Sequence, residues 1–148
     1  MSGIHMHRSG LNFDPPLQKS NISIMKLLST KAHGVIDYLM GIVLIAAPWL
    51  LDFNRGGAET WVPVILGIGV IVYSLFTNYE LSISKVIPMR THLTLDVISG
   101  ILLAASPWIF GFSEYVYLPH LIFGLLEIGA GLTTERSSKP AHYRTQTH

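Results

Sequence analysis

The chain has 148 residues, a formal net charge of +1 and no cysteine. Hydrophobic residues make up 49% of the sequence and charged residues 13%, about half of the roughly 25% that a soluble domain carries. The missing cysteines exclude disulfides, thiolate metal sites and dithiol redox chemistry. The near-neutral charge gives no reason to expect a nucleic-acid partner. We therefore expect one domain that is embedded in a lipid bilayer.

The two ends of the chain differ in composition from the rest. Residues 1–30 contain Pro15-Pro16, scattered polar residues and no apolar core of the signal-peptide type. We predict a flexible tail there, and a second one at 135–148. Met25 and Lys26 resemble an ordinary start of translation, so we expect that the first 24 residues are a gene-model extension.

Four apolar runs of 17 to 20 residues dominate the remainder of the chain, at Ala32–Leu51, Trp61–Asn78, His92–Phe110 and Tyr117–Thr133. A helix needs about 17–25 apolar residues to cross a bilayer. None of the runs alternates in polarity, as a membrane strand would. The runs predict an all-α, polytopic membrane four-helix bundle.

Basic residues predict the orientation of the bundle. Nine of the ten Lys and Arg residues lie in the two tails or the central loop, and only Arg55 lies in the other two loops. Because positive charge collects in cytoplasmic loops, both termini should be cytoplasmic.

An internal repeat divides the predicted domain, 31–134, into copies at 31–80 and 90–134. Residues 33–53 recur at 92–112 with an offset of 59, and nine of 21 positions are identical. The second helices align more loosely, at an offset of 56. A two-helix unit returns the chain to its starting side, so the copies are parallel and related by a pseudo-twofold axis along the membrane normal.

The segments "AAPWLLDF" and "AASPWIFGF" resemble the motif of the SPW repeat family of small bacterial and archaeal integral membrane proteins. The resemblance covers about 31–134. It implies the fold and a location in the cytoplasmic (inner) membrane of a bacterium or archaeon, and it implies no activity. The motif residues, which we interpret as structural, are Pro48, Trp49, Ser106, Pro107 and Trp108. The first copy has Ala47 in place of the serine.

Polar residues within the predicted spans form a candidate intramembrane site. Its members are His33, Asp37, His92, Asp96, His120 and Glu127. The spacing of four residues places each His and its Asp on one helix face. The pseudo-twofold axis could bring the two pairs together near the cytoplasmic end.

Three interpretations of the His/Asp pairs stay open. The favoured one is a structural clamp, in which each Asp accepts hydrogen bonds from a His, from Arg90 or from Lys31. The second is a relay for protons or ions, and the weakest is a divalent-metal site. The sequence assigns no catalytic residue, no metal and no cofactor.

Glu127 lies near the middle of the fourth span, where an ionised carboxylate costs at least about 2.5–3.5 kcal/mol. It therefore needs a partner, and His120, on the same helix face, is one candidate. Ser74 or Tyr73 would be alternative partners. At an offset of 56 the first copy has Ile71 at this position, so Glu127 breaks the repeat.

We expect a structural or accessory membrane module. An alternative is a small proton- or ion-coupled transporter or channel component that uses Asp37, Asp96 and Glu127. A weaker alternative is a membrane metalloenzyme with a His/Asp site. The expected partners are the lipid bilayer and either a second copy of the chain or another membrane protein.

Overall fold

The computed structural model describes residues 27–136. They form four helices, α1 (Thr30–Leu50), α2 (Ala58–Leu75), α3 (Met89–Ile109) and α4 (Leu118–Thr133). The prediction of an all-α membrane bundle is confirmed. The flexible tails were predicted mainly for residues outside the described range, and so was the start at Met25.

The first three helices begin two or three residues before the predicted spans. Each extension is a polar first turn, such as Ala58-Glu59-Thr60 in α2, which an apolar pattern does not include. The side chain of Ser29 caps α1 by accepting a hydrogen bond from the amide of Ala32 at 3.2 Å. Helices α1, α2 and α3 are long and apolar enough to cross a membrane, whereas α4 is shorter, at 16 residues.

The bundle consists of two tight hairpins, α1–α2 and α3–α4, joined by fewer contacts between the hairpins. Paired glycines allow the close approach within each hairpin. A Cβ atom added to Gly41 would lie 2.9 Å from the carbonyl oxygen of Gly67. The same atom added to Gly100 would lie 2.7 Å from the carbonyl oxygen of Gly124. Small residues at such contacts are typical of membrane helix pairs.

The C-terminal ends of α1 and α3 have the same geometry. Asp52 and Gly111, at matching positions, have positive φ of 55° and 72°. The amides of the next residues, Phe53 and Phe112, each donate to the carbonyl of the preceding proline at 2.9 Å. This is a Schellman ending, and it turns both phenylalanines toward the bundle axis.

The opposite end of the bundle is also symmetric. Isolated parallel bridges pair Leu28 with Thr134 and Thr77 with Ile87. The first residues of α1 and α3 therefore lie at the same end as the last residues of α2 and α4. This arrangement agrees with the predicted parallel repeat.

The structural correspondence corrects the predicted alignment of α2 with α4. The buried residues Pro63, Gly67, Val70 and Ser74 match His120, Gly124, Glu127 and Gly131. The offset is 57, not 56. The counterpart of Glu127 is therefore buried Val70, and the assignment to Ile71 was wrong.

Candidate metal centre

The two His/Asp pairs meet inside the bundle, one turn in from the end where α1 and α3 begin. His33 and Asp37 come from the first two turns of α1, and His92 and Asp96 from the same turns of α3. All four are buried, and the most exposed, Asp37, is 5% accessible. One ligand atom from each lies within 4.8 Å of the other three.

The shortest distances within this cluster cross between the two copies. His33 Nε2 lies 3.0 Å from an Asp96 carboxylate oxygen, and His92 Nε2 lies 2.9 Å from Asp37 Oδ2. The contacts within each helix are longer, at 3.3 Å and 3.4 Å. The two Nε2 atoms are 3.2 Å apart. Each copy therefore supplies half of one compact cluster.

Two threonines determine which imidazole nitrogen carries the proton. Thr77 Oγ1 donates to the carbonyl oxygen of Tyr73 at 2.7 Å, and Thr134 Oγ1 donates to that of Ala130 at 2.6 Å. A hydroxyl has one hydrogen, so each threonine oxygen must accept from the imidazole beside it. His92 Nδ1 donates to Thr77 at 2.8 Å, and His33 Nδ1 donates to Thr134 at 2.9 Å.

A neutral imidazole held in this way points the lone pair of Nε2 into the cluster. If both imidazoles are neutral and both carboxylates are ionised, the centre holds two nitrogen lone pairs and two carboxylates. If both imidazoles were instead charged, their Nε2–H groups would face each other across 3.2 Å. A single divalent cation would avoid both the repulsion between lone pairs and carboxylates and the repulsion between facing N–H groups. It would bind all four atoms and offset two negative charges.

The spacing fits a tetrahedral ion. Zinc binds histidine nitrogen and carboxylate oxygen at about 2.0–2.2 Å, so the corners of its tetrahedron are roughly 3.3–3.5 Å apart. The five nitrogen–nitrogen and nitrogen–oxygen distances in the cluster range from 2.9 to 3.4 Å. The distances to Asp37 involve both of its oxygens, and one atom from each of the four residues lies within 4.8 Å of the others, so the side chains must draw closer to bind one ion.

Each carboxylate also has a partner outside the cluster. The hydroxyl of Tyr73 donates to Asp96 Oδ1 at 2.6 Å, and Ser74 Oγ donates to Asp37 Oδ2 at 3.2 Å. Outer partners of this kind orient the ligands of metal sites. Lys31 and Arg90, the predicted cationic partners, are exposed at the bundle end, and the Asp partners in the structure are the two histidines.

His120 lies at the opposite end of the bundle. Its Nε2 donates to the carbonyl oxygen of Glu59 at 2.9 Å. Its ring packs between Phe53 and Phe112, with centroid distances of 5.2 Å and 4.9 Å. The predicted pairing with Glu127 was wrong, because seven residues separate the two along the helix, a rise of about 10.5 Å.

Glu127 is buried, and neither carboxylate oxygen has a hydrogen-bond partner among the described residues. Ser74 and Tyr73, its other predicted partners, bind the two aspartates instead. The side chain lines a cleft of about 420 Å³ between α1 and α4, which also reaches His33 and Asp37.

The motif residues at the outer boundary have no polar site around them. Pro48 and Pro107 are buried, whereas Trp49 and Trp108 are about half exposed, on the outer surface. Ser106 Oγ donates to the carbonyl oxygen of Leu103 at 2.7 Å, a bond within its own helix. Ala47 occupies the matching position, so this bond is dispensable to the fold.

The two threonines that hold the histidines were not predicted from the sequence. A signal was present: at the correct offset of 57, Thr77 corresponds to Thr134. The offset of 56 paired Thr77 with Thr133, which lies beside the cleft. The wrong offset therefore obscured the fact that a threonine beside each histidine is repeated in the two copies.

Comparison with known families identifies the scaffold. The SPW repeat domain model matches residues 31–134. The chain belongs to the SPW repeat family. Neither the comparison with curated proteins nor that with solved structures gave a match.

Proposed function

We propose that this SPW repeat protein is a membrane module built around a divalent-metal centre, ligated by His33, Asp37, His92 and Asp96. The observation that carries the proposal is the pair of threonines. Each has already donated its hydrogen to a backbone carbonyl. Neutral imidazoles held in this way direct their Nε2 lone pairs at the same point as two carboxylates.

The charge balance favours this assignment in a low-dielectric interior. Two carboxylates, two neutral imidazoles and one divalent ion sum to zero, so no net charge is buried. Mixed nitrogen and oxygen ligands in a tetrahedron suit zinc, or another first-row divalent ion that accepts this geometry.

The role that fits best is structural. The protein would supply all four ligands of the ion. A tetrahedral site closed in this way is typical of a structural metal, whereas a catalytic zinc keeps one coordination position open. This argues against the metalloenzyme alternative. The ion would join α1 to α3 and so connect the two hairpins, between which packing is sparse.

The membrane placement is part of the proposal. The end of the bundle that holds the metal centre faces the cytoplasm, on the evidence of the basic residues around it. The host membrane is the cytoplasmic membrane of a bacterium or archaeon. Lipid surrounds the apolar outer faces, and a second copy or another membrane protein packs against part of them.

The test is the metal content of the protein purified in detergent without chelator. Mass spectrometry of the elements should find one equivalent of a divalent metal per chain. After removal by a chelator, Co²⁺ should restore one equivalent and give the visible absorption of a tetrahedral ion. His33→Ala and His92→Ala should each lose the metal.

His120→Gln is the matched control, because it removes a buried histidine of the same bundle without touching the cluster. It should retain one equivalent of metal. A wild-type protein that neither contains metal nor binds added Zn²⁺ or Co²⁺ would rule out the metal centre. The cluster would then be the hydrogen-bonded clamp.

A second candidate function is the conduction of protons or cations. It is supported by Glu127, whose carboxylate has no hydrogen-bond partner in the part of the chain that the structure describes and lies in the same cleft as Asp37 and Asp96. The test is proton flux into liposomes that contain wild type, Asp37→Asn/Asp96→Asn or Glu127→Gln. Flux in the wild type that both variants abolish would support conduction, and wild-type liposomes as tight as protein-free ones would exclude it.

A further inference from the structure

The cleft between α1 and α4 is lined in part by residues that are exposed on the bundle surface, such as Leu125 and Leu126. Its walls are mainly apolar and include Ile36, Met40 and Leu125. Its inner wall is polar, since His33, Asp37 and Glu127 also line it. A volume of about 420 Å³ lies within the range of small-molecule sites, roughly 300–1,000 Å³.

The pseudo-twofold axis relates this cleft to the interface between α2 and α3, where Tyr73 fills the corresponding space. The ring of Tyr73 packs edge-on against the imidazole of His92, at a centroid distance of 4.9 Å and an interplanar angle of 79°. Its hydroxyl donates to Asp96 at 2.6 Å. The counterpart of Tyr73 in α4 is Ala130, which leaves the cleft open.

The open cleft has an acceptor that the filled interface lacks. Glu127 replaces Val70 and is 6% exposed, and both of its oxygens are without a partner among the described residues. A buried carboxyl group without a hydrogen bond is costly. A ligand that supplies a hydroxyl hydrogen would satisfy it.

We infer that the α1–α4 cleft binds a bilayer-soluble phenol, a hydroxylated aromatic ring with an apolar tail. The ring packs against His33 as Tyr73 packs against His92. The hydroxyl donates to Glu127. The tail leaves between α1 and α4, beside Met40 and Leu125, into the lipid.

The chemical class follows from the protein itself. Tyr73 is a phenol already bound at the equivalent position, so a ring of this shape suits the scaffold. Its hydroxyl donates to Asp96, whereas in the cleft the carboxylate without a partner among the described residues is that of Glu127. A purely aliphatic ligand would leave the oxygens of Glu127 unpaired. The inference shares His33 with the proposed metal centre, but it concerns a different ligand with a separate measurement.

The test uses the full chain in phosphatidylcholine nanodiscs and a ring-fluorinated nonylphenol, observed by fluorine NMR. Wild type should bind one equivalent saturably, above the partition into protein-free nanodiscs. The methyl ether of the same compound cannot donate a hydrogen bond. It should bind at least about tenfold more weakly, the ratio expected for about 1.4 kcal/mol.

Ala130→Tyr copies the filled interface into the open cleft and should reduce phenol affinity at least about tenfold. Ile122→Tyr is the matched control, since it adds the same ring to an exposed position of α4 outside the cleft and should bind as wild type does. Glu127→Leu should remove the preference for the phenol over its methyl ether.

Wild type that shows only partition, or Ala130→Tyr that binds as tightly as Ile122→Tyr, would overturn the inference. Equal binding of the phenol and its ether to wild type would overturn it as well. Metal content measured on the same samples separates the two proposals. Phenol binding by a metal-free protein would refute the metal centre alone, and metal without phenol binding would refute the cleft site alone.

Discussion

The two interfaces that join the hairpins differ at a few side chains within an otherwise symmetric frame. Between α2 and α3, Tyr73 fills the space beside His92. Between α1 and α4, Ala130 takes its place and leaves a cleft of about 420 Å³. The pseudo-symmetry holds for the bundle ends, the capping turns and the His/Asp cluster. Duplication therefore accounts for the His/Asp cluster, and the difference between α2 and α4 accounts for the cleft.

The divergence also gives the two carboxylates different outer partners. Asp96 accepts from a tyrosine at 2.6 Å and Asp37 from a serine at 3.2 Å. The histidine and aspartate of the cluster are identical in the two copies. Equivalent substitutions of the histidines or aspartates should therefore have equal effects on metal affinity. Substitutions of their outer partners, Tyr73 and Ser74, should have unequal effects.

The largest effect is expected at the ligands. Asp37→Asn and Asp96→Asn each remove an anionic ligand, so metal affinity should fall more than about 100-fold, since even outer partners are worth about 10–100-fold. The two losses should agree within a few fold. The measurement is competition for Zn²⁺ with a fluorescent chelator.

Asp52→Asn is the control for this pair, because Asp52 is exposed in an outer loop and asparagine tolerates its positive φ. It should leave the affinity unchanged. A loss confined to one of the two aspartate variants would contradict the symmetric centre.

Removal of the threonine hydroxyls should be next in size. Thr77→Val and Thr134→Val keep the shape of the side chain but cannot accept from Nδ1 of the histidines. The imidazoles can then adopt the other tautomer, and metal affinity should fall about 10–100-fold in each variant. The same competition assay measures the loss.

Thr94→Val is the matched control, since its hydroxyl donates to a backbone carbonyl on the exposed face of α3. Its affinity should equal that of the wild type. If Thr77→Val also bound metal like the wild type, the threonines would not set the tautomer.

The residues of the cluster could be predicted because they repeat. His33 and Asp37 recur as His92 and Asp96 within helices that an apolar pattern identifies, and a parallel repeat brings equivalent faces together. The threonines lie at helix ends, where hydroxyl residues are common, and an alignment error of one residue removed their repeat.

The environment of Glu127 could not be predicted from spacing. Residues that share a helix face are neighbours at three or four positions and not at seven, so His120 is too distant to pair with it. That Ser74 and Tyr73 bind the aspartates depends on how α2 rotates against α1 and α3. The sequence pattern of a single helix does not contain this information.

A third difference between the copies predicts an unequal response to added volume. Gly34 lies directly under the ring of Tyr79, whereas Leu93, at the matching position of α3, carries a full buried side chain. Gly34→Ala should overlap that ring and lower the free energy of unfolding by about 1–2 kcal/mol. Thermal unfolding in detergent, followed by circular dichroism, measures the change.

Gly69→Ala is the control for this substitution, because a Cβ atom added there meets nothing within 4 Å. Alanine is a better helix former than glycine by about 1 kcal/mol, so this variant should be as stable as the wild type or more stable. Equal destabilisation by both alanines would show that the contact with Tyr79 is not the cause.

The smallest effect should fall on the outer partners of the carboxylates, where the copies differ. Tyr73→Phe keeps the ring beside His92 and removes only the short hydrogen bond to Asp96, so metal affinity should fall about tenfold, the equivalent of one good hydrogen bond. Ser74→Ala removes the longer bond to Asp37 and should cost less. Because the phenylalanine ring still fills the α2–α3 interface, Tyr73→Phe should bind phenol as the wild type does. A larger loss from Ser74→Ala than from Tyr73→Phe would reverse the inferred ranking of the two bonds.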